Sequence, residues 1–151
     1  MIRSAAPSDY ASAEAIMEQV QNLHAGWRPD VYRAGATVLT PDYFDELVHA
    51  GQVLVYEEEG SVAGVVIFRE RQAGGPVKME RKTLYIDSIA VDEAHRGRGI
   101  GCRLLDECKA IARKQGCCGL ELQVNAANAR AMKLYREYGF GEKSVNMELN
   151  F

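Results

Sequence analysis

Three glycines and two arginines meet at one point in the chain, Arg96-Gly97-Arg98-Gly99-Ile100-Gly101. Glycine leaves backbone N–H groups accessible and arginine adds positive charge, so the pairing suits an anion. The run before it, Leu84 to Val91, is β-branched and aromatic and predicts a strand. After it, Ile100, Leu104, Leu105, Cys108 and Ile111 recur at spacings of three and four, which predicts one face of a helix. A helix N-terminus carries about +0.5 of a charge and unpaired N–H donors, so a strand-to-helix junction of this composition is expected to hold a phosphate. Two nucleotide patterns fail there. A dinucleotide fingerprint starting at Gly97 requires glycine where Cys102 stands, and no Gly-Lys-Ser/Thr follows as a triphosphate loop requires.

At 151 residues the chain predicts one domain, 1–151, large enough for a real core. Its formal charge of −3 gives no footprint for nucleic acid. No apolar run approaches the roughly 18 residues of a membrane span. Met1-Ile2-Arg3-Ser4 lacks the apolar stretch of a signal peptide. Cys102 and Cys108 share one predicted helix, Cys117 and Cys118 are adjacent, and no Cys-x-x-Cys pair occurs. That excludes a disulfide framework or metal knuckle and predicts a reducing, cytoplasmic setting with no metal.

The elements that would position the loop read in order. A short strand Ile2–Ala5 precedes a helix Tyr10–Leu23 capped by Ser8, with Ala13, Ile16, Met17 and Val20 inward. His24–Ala36 is a loop carrying Trp27 and Tyr32. Thr40 caps a second helix, Pro41–Ala50. Val53–Tyr56 and Val62–Arg69 form a hairpin around a solvated Glu57-Glu58-Glu59 turn, and a flexible loop, Gln72–Lys78, leads into the strand Arg81–Val91. The loop helix runs to about Gln115, Leu120–Val124 alternates as another strand, and Asn125–Asn128 caps a helix Ala129–Tyr138. The alternating tail, Val145, Met147, Leu149 and Phe151, predicts one or two final strands. The order indicates an α/β (α+β) domain, a mixed and mostly antiparallel sheet of about seven strands with four helices.

Arg96, Gly99 and Gly101 fit Arg-x-x-Gly-x-Gly, which resembles the acetyl-CoA pyrophosphate loop of the GNAT superfamily of N-acetyltransferases. About thirty residues on, Asn128, Ala131, Leu134, Tyr135, Gly139 and Phe140 resemble a second pattern of that family, N-x-x-A-x-x-L-Y-x-x-x-G-F. Read locally, Asn128 is a helix cap, Gly139 a C-cap, and Tyr135 and Tyr138 core aromatics. The two motifs in this order and at this distance carry the functional reading.

The resemblance implies acetyl-CoA as co-substrate and an amine as acceptor. The amides of Arg96, Gly97, Arg98, Gly99, Ile100 and Gly101 would take the pyrophosphate. The backbone of Ile89, Ala90 and Val91 would line the pantetheine like an added strand, with Asn128 steadying it. Tyr135 is the candidate general acid: a phenol of pKa near 10 is protonated at neutral pH and available to a departing thiolate whose thiol has a pKa of about 8.5. Tyr85 and Asp87 share a strand face that in relatives points at the acceptor. Asp87 is the first candidate for the base, or for holding a cationic acceptor, and Glu121 the second. Gln123 stands where protein-acetylating relatives often carry glutamate, and an amide is no base. Trp27 and Tyr32 are candidate acceptor contacts, with packing against the domain as the plainer alternative; His95 reads as exposed loop. With no cysteine arranged as a nucleophile, direct attack by the amine is expected.

The expected activity is therefore transfer of acetyl from acetyl-CoA to a primary amine, a small-molecule acceptor slightly favoured over a protein α-amino or lysine group. A non-catalytic acyl-CoA-binding module is the alternative from another class. Many relatives dimerise, so a homodimer is compatible with the resemblance.

Overall fold

The computed structural model describes residues 1–151. Strand β1 (Ile2–Ser4) is followed by a single 3-10 turn and helix α1 (Tyr10–Trp27). Helix α2 (Pro41–His49), strands β2 (Val53–Glu58), β3 (Ser61–Gly75) and β4 (Lys78–Val91), helix α3 (Ile100–Lys114), strand β5 (Leu120–Leu122) and helix α4 (Ala129–Tyr138) complete the order. The sheet runs β1-β2-β3-β4-β5, antiparallel except for the parallel β4–β5 pair.

The middle of the sheet is buried on both faces, as the near-continuous apolar runs of β2 and β3 require. On one face Ala13, Ile16 and Met17 of α1 and Phe44 and Leu47 of α2 pack over Val55, Val65 and Ile67. On the other, Ile100, Leu104, Leu105 and Cys108 of α3 pack over Leu54, Val66, Leu84 and Ile86. Gly64 makes the second contact close. A Cβ built there lies 2.9 Å from Ile100 Cγ2 and 3.2 Å from Leu104 Cδ1, so only glycine lets the first turn of α3 settle onto β3.

Four helices and a mixed sheet agree with the expectation; the strand count does not. There are five strands, because the tail from Phe140 to Phe151 forms none, and β5 ends at Leu122 rather than Val124. Helix α1 continues past Leu23 to Trp27, where the N–H of Arg28 still reaches the His24 carbonyl; Pro29 then excludes further helix. Its N-cap position is Asp9, not Ser8, and that carboxylate turns back onto the Ala6 N–H and Arg3. The loop expected at Gln72–Lys78 is instead the end of a long hairpin, paired from Gln72↔Lys82 to Gly75↔Lys78. Backbone pairing in an isolated ribbon needs no apolar pattern, so composition concealed it.

Candidate active site

Strand β4 changes phase in its middle. Ile67 of β3 pairs with Ser88 and Phe68 with Ile86, so Asp87 is the extra residue of a β-bulge. Before the bulge, the Leu84 N–H donates toward β5, to the Gly119 carbonyl at 3.0 Å. After it, the Asp92 N–H donates toward β3, to the Ala63 carbonyl at 2.9 Å. Backbone groups alternate, so Ile89 and Val91 then face the outer edge and Ala90 faces β3. The β4–β5 pairing stops at Ile86↔Leu122. The outer edge of β4 from Ile89 to Val91 is therefore open, as an extended chain adding alongside it would require.

The anion loop follows directly. Gly97 and Gly99 adopt left-handed φ of 79° and 77°, and Gly99 is the N-cap of α3. None of the backbone N–H groups from Gly97 to Cys102 donates to another group of the protein. They converge at the positive end of a four-turn helix. Arg96 folds back, its Nε donating to the Val91 carbonyl at 3.0 Å, and so uses one acceptor of the open edge. Arg98 is held by Glu58 at 3.1 Å. His95 is not free loop: its Nδ1 lies 2.7 Å from Asp92, which also accepts from Gln19 of α1 at 2.8 Å. Gln19 in turn accepts the Glu93 N–H, so α1 braces the loop, and a cleft of about 350 Å³ between them is lined by Gln19, Asn22, Leu23, Glu93 and Arg96.

The second motif comes to the same place. Leu134 of α4 lies 3.8 Å from where a Gly101 side chain would begin. Asn128 caps α4, its Oδ1 accepting the Ala131 N–H at 3.1 Å, so the local reading of that residue is correct as far as its carbonyl goes. Tyr135 is half-buried beside Phe140, with ring centroids 5.6 Å apart, and burial alone pushes its phenol up to about 12. Tyr138, by contrast, donates to Asp106 at 2.7 Å and is occupied. Burial pushes the Cys108 thiol up to about 12 as well, which leaves it no thiolate for nucleophilic work near neutral pH.

The other face of the sheet, below the bulge, is polar. Tyr85 sits opposite Arg69 on β3 and Glu121 on β5. The Arg71 guanidinium lies 4.0 Å from the centre of its ring. Arg69 pairs with Asp87 at 3.2 Å, and Lys143 with Glu121 at 2.7 Å. The Lys143 hydrogen bond holds the Glu121 carboxyl below the usual carboxylate range. Both candidate bases are thus ion-paired, and Glu121 is the weaker proton acceptor for it.

A protein-family model described as the acetyltransferase (GNAT) family matches residues 17–140, which span both motifs and the open strand edge. The chain belongs to the GNAT acetyltransferase family. The crystal structure of a mutant of the BH1408 protein from Bacillus halodurans is similar over 100% of this chain and 99% of that one, at 29% identity and a TM-score of 0.96. Curated relatives match over shorter stretches. The ribosomal protein bS18-alanine N-acetyltransferase of Escherichia coli K12 is 36% identical over 69 residues, covering 46% of this chain and 45% of that protein. The thialysine N-epsilon-acetyltransferase of Bos taurus is 36% identical over 58 residues, 38% of this chain and 34% of that protein. The matched segments span between 14% and 50% of the length of such relatives.

Within this GNAT chain, three expected acceptor contacts are not brought into one cluster. Tyr85 lies in the sheet under Arg71, whereas Trp27 and Tyr32 gather around His24, at 5.5 and 5.0 Å between ring centroids. Sequence reasoning missed Gln19, Glu58, Arg69, Arg71 and Lys143. Arg69 and Arg71 follow Ile67 at a period of two and were legible as one face of β3. Glu58 belongs to β2 and Glu57 pairs with Arg3, so only Glu59, at φ 51°, behaves as the expected solvated turn.

Proposed function

We propose that the protein is an acetyl-CoA-dependent N-acetyltransferase in which a primary amine attacks the thioester directly. The observation that carries this reading is the continuity of the open β4 edge with the unpaired N–H groups of Gly97–Cys102, a strand-shaped groove ending in a phosphate cradle. These amides would take the pyrophosphate, Ile89 and Val91 the pantetheine arm, and Asn128 its amide. No metal is needed.

The amine nitrogen bonds to the thioester carbonyl carbon, charge gathers on its oxygen near the backbone amides beside the bulge, and the C–S bond then breaks. The amine proton passes to Asp87, directly or through water, and the departing sulfur takes a hydrogen from Tyr135. A phenol near 12 facing a thiol of about 8.5 is the weaker acid by about 5 kcal/mol in isolated terms. The same dehydration raises the thiol, however, which narrows the gap where the sulfur sits. Tyr135 therefore acts by donating to sulfur as charge develops, not by being acidic in advance.

A small-molecule acceptor remains favoured over a protein amine: Gln123 supplies no base, and the charged face of Arg69, Arg71, Asp87 and Glu121 is compact. Relatives bear names of both kinds, thialysine and a ribosomal-protein alanine. Thiol release from acetyl-CoA over a panel of small amines and peptides tests the reading. Release with small amines is expected; acetyl-CoA binding without release for any amine would show a binding module. Tyr135→Phe is expected to lower kcat by about 10²- to 10⁴-fold with acetyl-CoA affinity unchanged by calorimetry. A variant within about twofold of wild type removes Tyr135 from the chemistry.

A further inference from the structure

The polar face below the bulge carries more positive charge than its own carboxylates neutralise. Arg69 and Arg71 stand two residues apart on one face of β3, roughly 7 Å along the strand. Their guanidinium carbons lie 5.7 and 4.0 Å from the centre of the same ring, that of Tyr85. Lys143, at 2.7 Å, and Arg81 both pull on Glu121. Four cations thus meet two carboxylates, Asp87 and Glu121, on a chain whose overall charge is −3.

The two carboxylates are shared unequally. Asp87 is taken by Arg69 at 3.2 Å and Glu121 by Lys143 at 2.7 Å. Arg71 is left with Glu121 at 4.0 Å, beyond hydrogen-bond reach. Its flat guanidinium rests on the Tyr85 ring, a fork of donors with no carboxylate seated in it. Arg69 and Arg71 are both half-exposed, so a solute reaches them. Asp87, by contrast, is open to an ammonium group only when something else occupies Arg69.

Resting on the acetyltransferase reading above, we propose that the acceptor is an amino acid, its carboxylate docked on Arg71 and Arg69 and its amine on Asp87. The internal Arg69–Asp87 pair then opens into two pairs with the ligand, and no charge is left bare. An amine without a carboxylate draws Asp87 off Arg69 and leaves two guanidinium groups over one ring with no anion between them. A polyamine adds further positive charge to the surplus. Once docked, the amine nitrogen bonds to the acetyl carbon as the C–S bond breaks. One proton of the ammonium passes by Asp87 to solvent and another ends on the CoA sulfur, so the products are an N-acetyl amino acid and free CoA.

The test is thiol release from acetyl-CoA with acceptors paired so that they differ by the carboxylate: alanine against ethylamine, 4-aminobutyrate against propylamine, lysine against cadaverine. The acid of at least one pair is expected to exceed its partner by about 10- to 100-fold in kcat/KM. Arg71→Met keeps an apolar stem over Tyr85 and removes the charge. It is expected to bring that ratio to within about threefold of unity, with acetyl-CoA affinity by calorimetry reporting that the variant is folded. Acids and plain amines used equally by the wild type overturn this inference and leave the transferase reading in place, and the wild-type ratio decides this even if the variant does not fold. A preference that Arg71→Met leaves intact overturns it as well. Release with none of the six acceptors also overturns it, and if peptides are inert too the transferase reading falls with it.

Discussion

In the proposed reaction Tyr135, packed on the α3 side of the sheet, and Asp87, paired with Arg69 on the other, would act from opposite faces, and their substitutions read out differently. A phenol at about 12 stays protonated throughout the range in which an amine of pKa near 10 becomes nucleophilic. Loss of the Tyr135 proton therefore sets no alkaline limb below about pH 11. The pH–rate profile of Tyr135→Phe is expected to run parallel to wild type from pH 6 to 10, lower but unchanged in shape. Asp87→Asn is expected to lower kcat across the same range, since an amide accepts no proton. Thiol release measured over that range checks both, and a rate that survives in Asp87→Asn moves the base elsewhere.

At the scale of elements, the packing of α3 on β3 sets where the proposed phosphate cradle lies. Gly64→Ala forces its new methyl against Ile100 Cγ2, an atom one bond from the Ile100 Cβ that cannot swing aside. A loss of about 1–3 kcal/mol in urea unfolding is expected, together with weaker acetyl-CoA binding, because Ile100 is itself in the first turn of the cradle. Equal stability and equal affinity would refute that coupling. The elements that bear this site were legible because their signals are local: Gly97 and Gly99 at a helix start, Asn128 three residues before the N–H it caps, alternation in β4. What escaped was long-range. The bulge at Asp87 leaves no mark in composition, and neither Gln19 nor Lys143 has a sequence neighbour that announces its partner. The tail was read as strand from sound alternation, but alternation supplies only a face and not the sheet to receive it.

For the molecule as a whole, Arg3 ties the first strand to both β2 and the entry of α1. It binds Asp9 through two hydrogen bonds of 2.7 and 3.0 Å and Glu57 at 2.7 Å. The Arg3 hydrogen bonds hold the Asp9 carboxyl well below its ordinary value, with a smaller contribution from the Ala6 N–H. A carboxyl whose pKa is lowered by folding stabilises the fold above its unfolded value, about 3.9, and that contribution fades as pH falls through the folded one. Asp9→Asn is accordingly expected to cost about 1–3 kcal/mol near neutrality and progressively less below about pH 4, by chemical denaturation at each pH. A difference that does not shrink in acid would assign the loss to geometry and not to charge.

The bulge in β4 has a consequence for how this molecule tolerates change. Asp87 occupies the position that shifts the strand by half a repeat, so that amides facing β5 before it and amides facing the open groove after it belong to one continuous chain. Its backbone and its carboxylate are thus separable assets. Side-chain substitution at residue 87 leaves the groove as it is, and deleting that single residue joins Ile86 to Ser88 in regular pairing with Phe68 and Ile67, with the Ile89 and Val91 amides still facing outward. The direction of the groove is thus set by the pairing of Ser88–Val91 with β3 itself, and the extra residue serves to carry the Asp87 carboxylate.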